Sequence, residues 1–280
     1  MIAFMQIKKF FSLMSIFKLF SLSLICIVTI LISCVSVSAK IITKNVDYKE
    51  GEIALRGFMA YDDSLIEPRP GVLIVHEWNG LGTYVKIRAK QIAELGYIAF
   101  CADMYGKNAM PRNREESSKQ ASIYRNDRIL MRNRVITGLE EFKKQNMVDK
   151  SKIAAIGYCF GGGTVLELAR SGADVSGVVS FHGNLDTPNL NDAKNIKTRI
   201  LVLHGADDPN VSSEQIRIFQ KEMRDSKVDW QMIFYGNAVH SFTNPDSGNN
   251  PEKGAAYNEK SDKRSWDAMR VFFNEIFLKN

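Results

Sequence analysis

Histidine and cysteine are scarce in this chain, four of each in 280 residues. Two cysteines fall within the first 39 residues, leaving Cys101 and Cys159 for the rest. Two thiols are too few for a disulfide framework in a domain of this size; a single Cys101–Cys159 bridge is the alternative to two free thiols. The thiols and the dispersed histidines (His76, His182, His204, His240) have no spacing that resembles a zinc site. No Gly-Lys-Ser/Thr follows the run Gly161-Gly162-Gly163, which excludes a phosphate-binding loop of that kind. Neither metal nor organic cofactor is therefore expected. Internal repeats and long low-complexity segments are also lacking.

Acidic residues are absent from positions 1–39, which carry Lys8, Lys9 and Lys18 and an apolar stretch from Leu19 to Ser33. A basic start, an apolar middle and small residues near the end read as an export signal. Val37-Ser38-Ala39 fits cleavage before Lys40. Leu31-Ile32-Ser33-Cys34 instead looks like a lipobox, which would leave Cys34 as a lipidated N-terminus. An uncleaved anchor is the third reading, since the stretch is nearly long enough to span a bilayer. In each case residues 40–280 are exported as one domain, periplasmic, secreted or tethered to the membrane. Setting the three lysines aside lowers the formal charge from +6 to +3, so nothing demands a nucleic-acid partner. A monomer is expected.

Residues 40–62 read as strands, with Ile53–Tyr61 suited to an antiparallel edge. Glu67–Gly71 reads as a turn. Val72–His76 is a continuous apolar run, the mark of a strand covered on both faces. A helix with Val85, Ala89, Ile92 and Ala93 on one face closes at Gly96, and Tyr97–Cys101 is the next buried strand. From Pro111 a loop leads into one long helix through about Gln145. It carries Arg112, Arg114, Arg125, Arg128, Arg132 and Arg134, either a solvated face or a basic wall. Val178–Phe181 and Ile200–His204 are further strands, then a helix from Ser213, a strand Trp230–Tyr235, and a last helix with Trp266, Met269, Phe273, Ile276 and Phe277 at core spacing. Alternating strands and helices predict an α/β fold: a mostly parallel sheet with helices on both faces. In such sheets, sites form at the carboxyl ends of strands.

One such end stands out. Lys152–Ile156 reads as a buried strand, Thr164–Arg170 as a helix, and between them lies Gly157-Tyr158-Cys159-Phe160-Gly161-Gly162. A reactive residue between glycines at a strand-to-helix turn is a nucleophile elbow, with cysteine in place of the commoner serine. The helix points free N–H groups and its positive dipole end at the sulfur, favouring thiolate. A buried structural cysteine in a glycine-rich turn is the plainer reading. A thiol nucleophile needs a base, and the base a carboxylate. His204 ends a buried strand, where it would satisfy a backbone group; His76 and His182 end strands where lining is expected. His240, in the loop Gly236–Phe242, is where a mobile base belongs. Asp208, in Gly-x-x-Asp-x-x-Val from Gly205 to Val211, is the preferred carboxylate over its neighbour Asp207. Nucleophile, acid, histidine is the chain order of α/β-hydrolases.

From about residue 45 onward the chain resembles the dienelactone hydrolase family. The resemblance rests on Gly-Tyr-Cys-Phe-Gly-Gly, His76-Glu77-Trp78-Asn79-Gly80, Ala102-Asp103-Met104-Tyr105 and His240-Ser241-Phe242. It implies an α/β-hydrolase fold and a cysteine hydrolase, carboxymethylenebutenolidase-like, that cleaves an ester or lactone through a thioester. It further implies that Glu77 pairs with the resting thiol, that backbone N–H groups of Trp78 and Phe160 form the oxyanion hole, and that Tyr105, Tyr124 and His182 line the substrate. The chain departs from the family at two places. Arginines that hold a substrate carboxylate are replaced by Gln120 and Asn244, with Lys119 and Arg125 the nearby cations. This argues against the literal dienelactone substrate. A general carboxylesterase or thioesterase of the same fold, and a non-catalytic binding protein, are the alternatives.

Overall fold

A computed structural model describes residues 40–64 and 67–278; the stretch expected to be an export signal, Cys34 included, lies outside the described residues. Eight strands form one sheet in the order β1-β2-β4-β3-β5-β6-β7-β8. β1 (Ile41–Glu50) and β2 (Ile53–Asp62) make an antiparallel hairpin at one edge, turned at Gly51, which sits at φ 55°. β2 pairs antiparallel with β4 (Ile98–Ala102). The remaining pairings are parallel, through β3 (Arg69–Val75), β5 (Val148–Tyr158), β6 (Gly177–Phe181), β7 (Arg199–Gly205) and β8 (Trp230–Tyr235).

The parallel strands read as unbroken apolar runs because helices cover both faces. On one face α1 (Thr83–Glu94) and α6 (Glu259–Leu278) bury Val85, Ala89, Ile92, Met269 and Phe273 against β3, β5 and β7. On the other, α2 (Arg114–Asn126), α3 (Arg128–Lys143), α4 (Phe160–Arg170) and α5 (Ser213–Asp225) contribute Tyr124, Leu139, Phe142, Leu166 and Phe219. Each fully buried Val, Leu, Ile, Met or Phe among them contributes roughly 1.5–3 kcal/mol.

Two local expectations are corrected. The turn expected over Glu67–Gly71 gives way to strand from Arg69, with an irregularity between Pro70 and Gly71. A Cβ at Gly71 would come within 2.7 Å of the Phe142 ring, so this glycine serves close packing there rather than a turn. The single long helix is two. Asp127 leaves helical geometry at φ −126°, ψ 92°, and its side chain accepts from the Leu130 N–H, capping α3 where α2 ends.

The arginines of this segment are neither a wall facing substrate nor a uniformly solvated face. Arg128 pairs with Asp186, Arg132 with Glu167 and Asp192, and Arg134 with Glu50. Arg112 pairs with Glu116 on the surface. The first three tie α3 to its neighbours.

Candidate active site

Cys159 follows β5 directly and occupies φ 55°, ψ −115°, a region that L-residues rarely adopt. The glycines around it are demanded by distance. A Cβ at Gly157 would lie 2.0 Å from the Gly161 carbonyl oxygen, and one at Gly161 would lie 2.2 Å from that of Val75. The close approach lets α4 start immediately after the cysteine, leaving Sγ at the helix N-terminus. Cys159 is only 5% exposed, and both described cysteines are free; the Cys101–Cys159 bridge does not form.

Three of the sequence-selected side chains meet here. His240 Nε2 lies 3.0 Å from Cys159 Sγ, and His240 Nδ1 donates to Asp208 Oδ2 at 2.8 Å. The other Asp208 oxygen accepts from the Asn210 N–H at 2.9 Å. Asp207 is exposed and bonds through its backbone N–H to Ala238 O, so Asp208 is the residue that reaches the ring. Burial disfavours charge on His240, but the neighbouring Cys159 thiolate and Asp208 outweigh it and raise its pKa to about 10. Burial likewise works against the Asp208 carboxylate, yet its hydrogen bond to His240 and the charge there hold its pKa below the usual value. The arrangement favours the charged form of the His240 ring.

Glu77 is buried near this pair, but its partners are not the sulfur. Its oxygens accept from Ser241 Oγ at 2.8 Å and Asn244 Nδ2 at 2.6 Å, both on the loop of His240. The expected resting contact with the thiol is absent because the thiol is turned to His240 and the carboxylate is taken. Burial raises the Glu77 pKa, against the opposing effect of those two bonds. Asn244, one of the two departures from the family pattern, is thus committed to Glu77. Gln120, the other, borders a surface pocket with Lys119, Met110 and Ile123.

Trp78 is half-buried; its carbonyl accepts from Tyr105 OH at 2.8 Å, and the Arg114 guanidinium sits 5.4 Å over its ring. Phe160 is the first residue of α4, with Tyr105 and Tyr124 rings at 5.6 and 6.1 Å from its own. Both tyrosines are nearly buried, at 7% and 4% exposure. Tyr124 OH accepts from Arg134 at 3.1 Å.

The remaining histidines are structural in their contacts. His182 does not line a substrate space: it is fully buried, and both ring nitrogens engage protein atoms. His76 Nδ1 donates to Glu77 O at 2.6 Å while its Nε2 accepts from the Met104 N–H, and burial lowers its pKa. His204 packs edge-on against Phe234, but its Nδ1 has no partner, contrary to the expected backbone bond. Asp103, unassigned by the sequence reading beyond its motif, organises the loop after β4 by accepting from three backbone N–H groups, Arg56, Tyr105 and Gly106. Its place after a buried strand was the available signal. Among the described residues, no group of three or more His, Cys, Asp or Glu side chains could hold a metal ion.

Residues 55–277 match the sequence model of the dienelactone hydrolase family. The chain belongs to this family. As a member it is a hydrolase acting on ester or lactone bonds. A solved dienelactone hydrolase-like promiscuous phosphotriesterase from metagenomic libraries is 42% identical, with TM-score 0.81, covering 85% of this chain and 99% of that one. Dienelactone hydrolase from Anabaena variabilis, at 18% identity and TM-score 0.60 over 82% of this chain and 98% of that one, shares the fold. A protein of Saccharolobus solfataricus that carries carboxymethylenebutenolidase as a provisional name is 23% identical, over 83% of this chain and 98% of its own.

Proposed function

We propose that this family member is a cysteine-dependent hydrolase of neutral esters or lactones, with Cys159 as nucleophile, His240 as acid and base, and Asp208 as the carboxylate that orients it. The observation that carries the reading is the line Sγ–Nε2–Nδ1–Oδ2, with spacings of 3.0 Å and 2.8 Å at its ends. The thiolate attacks the carbonyl carbon, and the carbonyl electron pair moves to oxygen. Backbone N–H groups of Trp78 and Phe160 receive that oxyanion; such donors are typically worth roughly 3–4 kcal/mol each. Collapse expels the alcohol, protonated from His240 Nε2, and leaves a thioester. With the thiolate consumed, the main influence favouring charge on His240 is gone, so the ring can accept a proton from water. Hydroxide attack then releases the acid and restores the thiolate–imidazolium pair. No step needs a cofactor.

Turnover of p-nitrophenyl acetate by the purified protein tests this. Loss of turnover in both Cys159→Ala and His240→Ala is expected; equal rates in wild type and variants would remove the reading. Gln120 and Asn244 favour neutral over carboxylated substrates, so a strong preference for a carboxylated lactone would overturn that part alone. A second reading, phosphotriester cleavage at the same thiol, is favoured by the 42% identity to the metagenomic phosphotriesterase. Release of p-nitrophenol from a dialkyl p-nitrophenyl phosphate, absent in Cys159→Ala, would support it. Residues 1–39 are proposed as an export signal, and the mass of the exported protein distinguishes a start at Lys40 from a lipidated Cys34.

A further inference from the structure

His182 is a second imidazole beside the catalytic one, with ring centroids 5.4 Å apart, and no step above uses it. It has no access to substrate, being fully buried. Its contacts nevertheless join the two halves of the reactive pair. The Cys159 backbone N–H, shared with Phe181 O at 3.0 Å, also donates to His182 Nδ1 at 3.1 Å. Accepting at Nδ1 places the ring proton on Nε2, which donates to Thr243 Oγ1 at 2.7 Å. Thr243 stands three residues after His240 on the same loop.

The far end of this chain is anchored. Thr243 Oγ1 is 2.6 Å from Tyr84 OH, and Arg88 bonds both Tyr84 OH and Thr243 O, at 3.1 and 2.7 Å. Arg88 also pairs with Asp262 of α6. Elbow, base loop, α1 and α6 are therefore connected through one ring. The backbone supports the same conclusion. His182 sits at φ 40°, in the left-handed region that glycine adopts freely and histidine does not. A non-glycine residue there persists where its side chain is needed, and here the turn swings the ring back towards the elbow.

We propose that His182 is a positioning residue: by holding the Cys159 N–H and the Thr243 hydroxyl at once, it fixes the approach of Sγ to His240 Nε2. The inference rests on the cysteine-hydrolase reading. The ring stays neutral in this role, since burial and the adjacent His240 charge both lower its pKa well below normal. A neutral ring keeps Nδ1 free to accept.

The test uses the full chain and p-nitrophenyl acetate. His182→Leu keeps the bulk and removes both hydrogen bonds. Misplacement of reacting groups by about 1 Å costs up to about 100-fold, so kcat is expected to fall roughly 10- to 100-fold with KM nearly unchanged. Alkylation of Cys159 by iodoacetamide should slow in parallel, which a loss of stability alone would not cause in the folded fraction. His182→Gln, whose amide offers an acceptor and a donor, should restore most of kcat. Thr243→Val should act in the same direction, and the double variant should add little to His182→Leu, since both cut one chain of bonds. Unchanged kcat and alkylation in His182→Leu overturn the proposal; if that variant does not fold, unchanged values in Thr243→Val do so. Should Cys159→Ala retain wild-type turnover, the underlying hydrolase reading fails instead, and the two failures are distinguishable.

Discussion

Replacing Asp208 with asparagine changes one charge and almost no volume. The carboxylate has two oxygens and two donors, the His240 ring at 2.8 Å and the Asn210 N–H at 2.9 Å. An asparagine has only one oxygen to offer. If it serves Asn210, its NH2 group faces His240 Nδ1, and the ring must carry its proton on Nε2, the wrong tautomer for taking a proton there. If it serves His240, two donors collide on the other side. Either way the imidazolium also loses a full negative charge. Opposite charges about 4 Å apart attract by about 4 kcal/mol at an effective dielectric near 20, and about 1.4 kcal/mol is a tenfold rate change. The expected loss in kcat/KM is therefore about 1000-fold. Ester turnover across pH 6–9, with a thermal melt to confirm folding, measures it. Asp207→Asn is the control and should match wild type, because Asp207 is exposed and does not reach the ring. A folded Asp208→Asn enzyme within tenfold of wild type would refute the reasoning.

Other consequences follow from the same packing. Gly161→Ala drives a Cβ to 2.2 Å from the Val75 carbonyl oxygen, so soluble yield should collapse or the melting temperature drop by about 6–12 °C or more, corresponding to at least about 3 kcal/mol. Arg170 is buried between Glu167 and Glu222; Arg170→Met leaves Glu167 to Arg132 but strands Glu222, and should cost about 3–5 kcal/mol in a denaturant titration. The His240 pKa is raised in the fold to about 10, against about 6.5 in an unfolded chain. Its proton therefore contributes stability that is fully present below about pH 6.5 and is lost as pH climbs towards 10. The melting temperature of wild type should fall more steeply over that interval than that of His240→Gln.

The strands that carry the site were legible because burial on both faces writes itself as an unbroken apolar run; Val72–Val75 and Ile200–Leu203 are both within observed strands. Helix α5 was equally clear, with Ser212 and Gln215 forming a reciprocal cap at its start. The break at Asp127 was missed because charged residues on either side keep a helical pattern through it, although an aspartate before an apolar pair is itself a capping signal. The order of Cys159, Asp208 and His240 was readable, and their juxtaposition depends only on strand ends lying side by side. The partners of Glu77 were not readable. Ser241 and Asn244 are more than 160 residues away, and only packing of the His240 loop against the loop after β3 brings them there. The role of the His182 ring was hidden for a related reason: its positive φ has no counterpart in residue type.

The near-burial of the sulfur has a further bearing on how long the enzyme lasts. An exposed thiol is open to peroxides and disulfides that would retire it. At 5% exposure, Cys159 offers such reagents little surface. The packing that presses Cys159 against His240 thus also shields the thiol from damage.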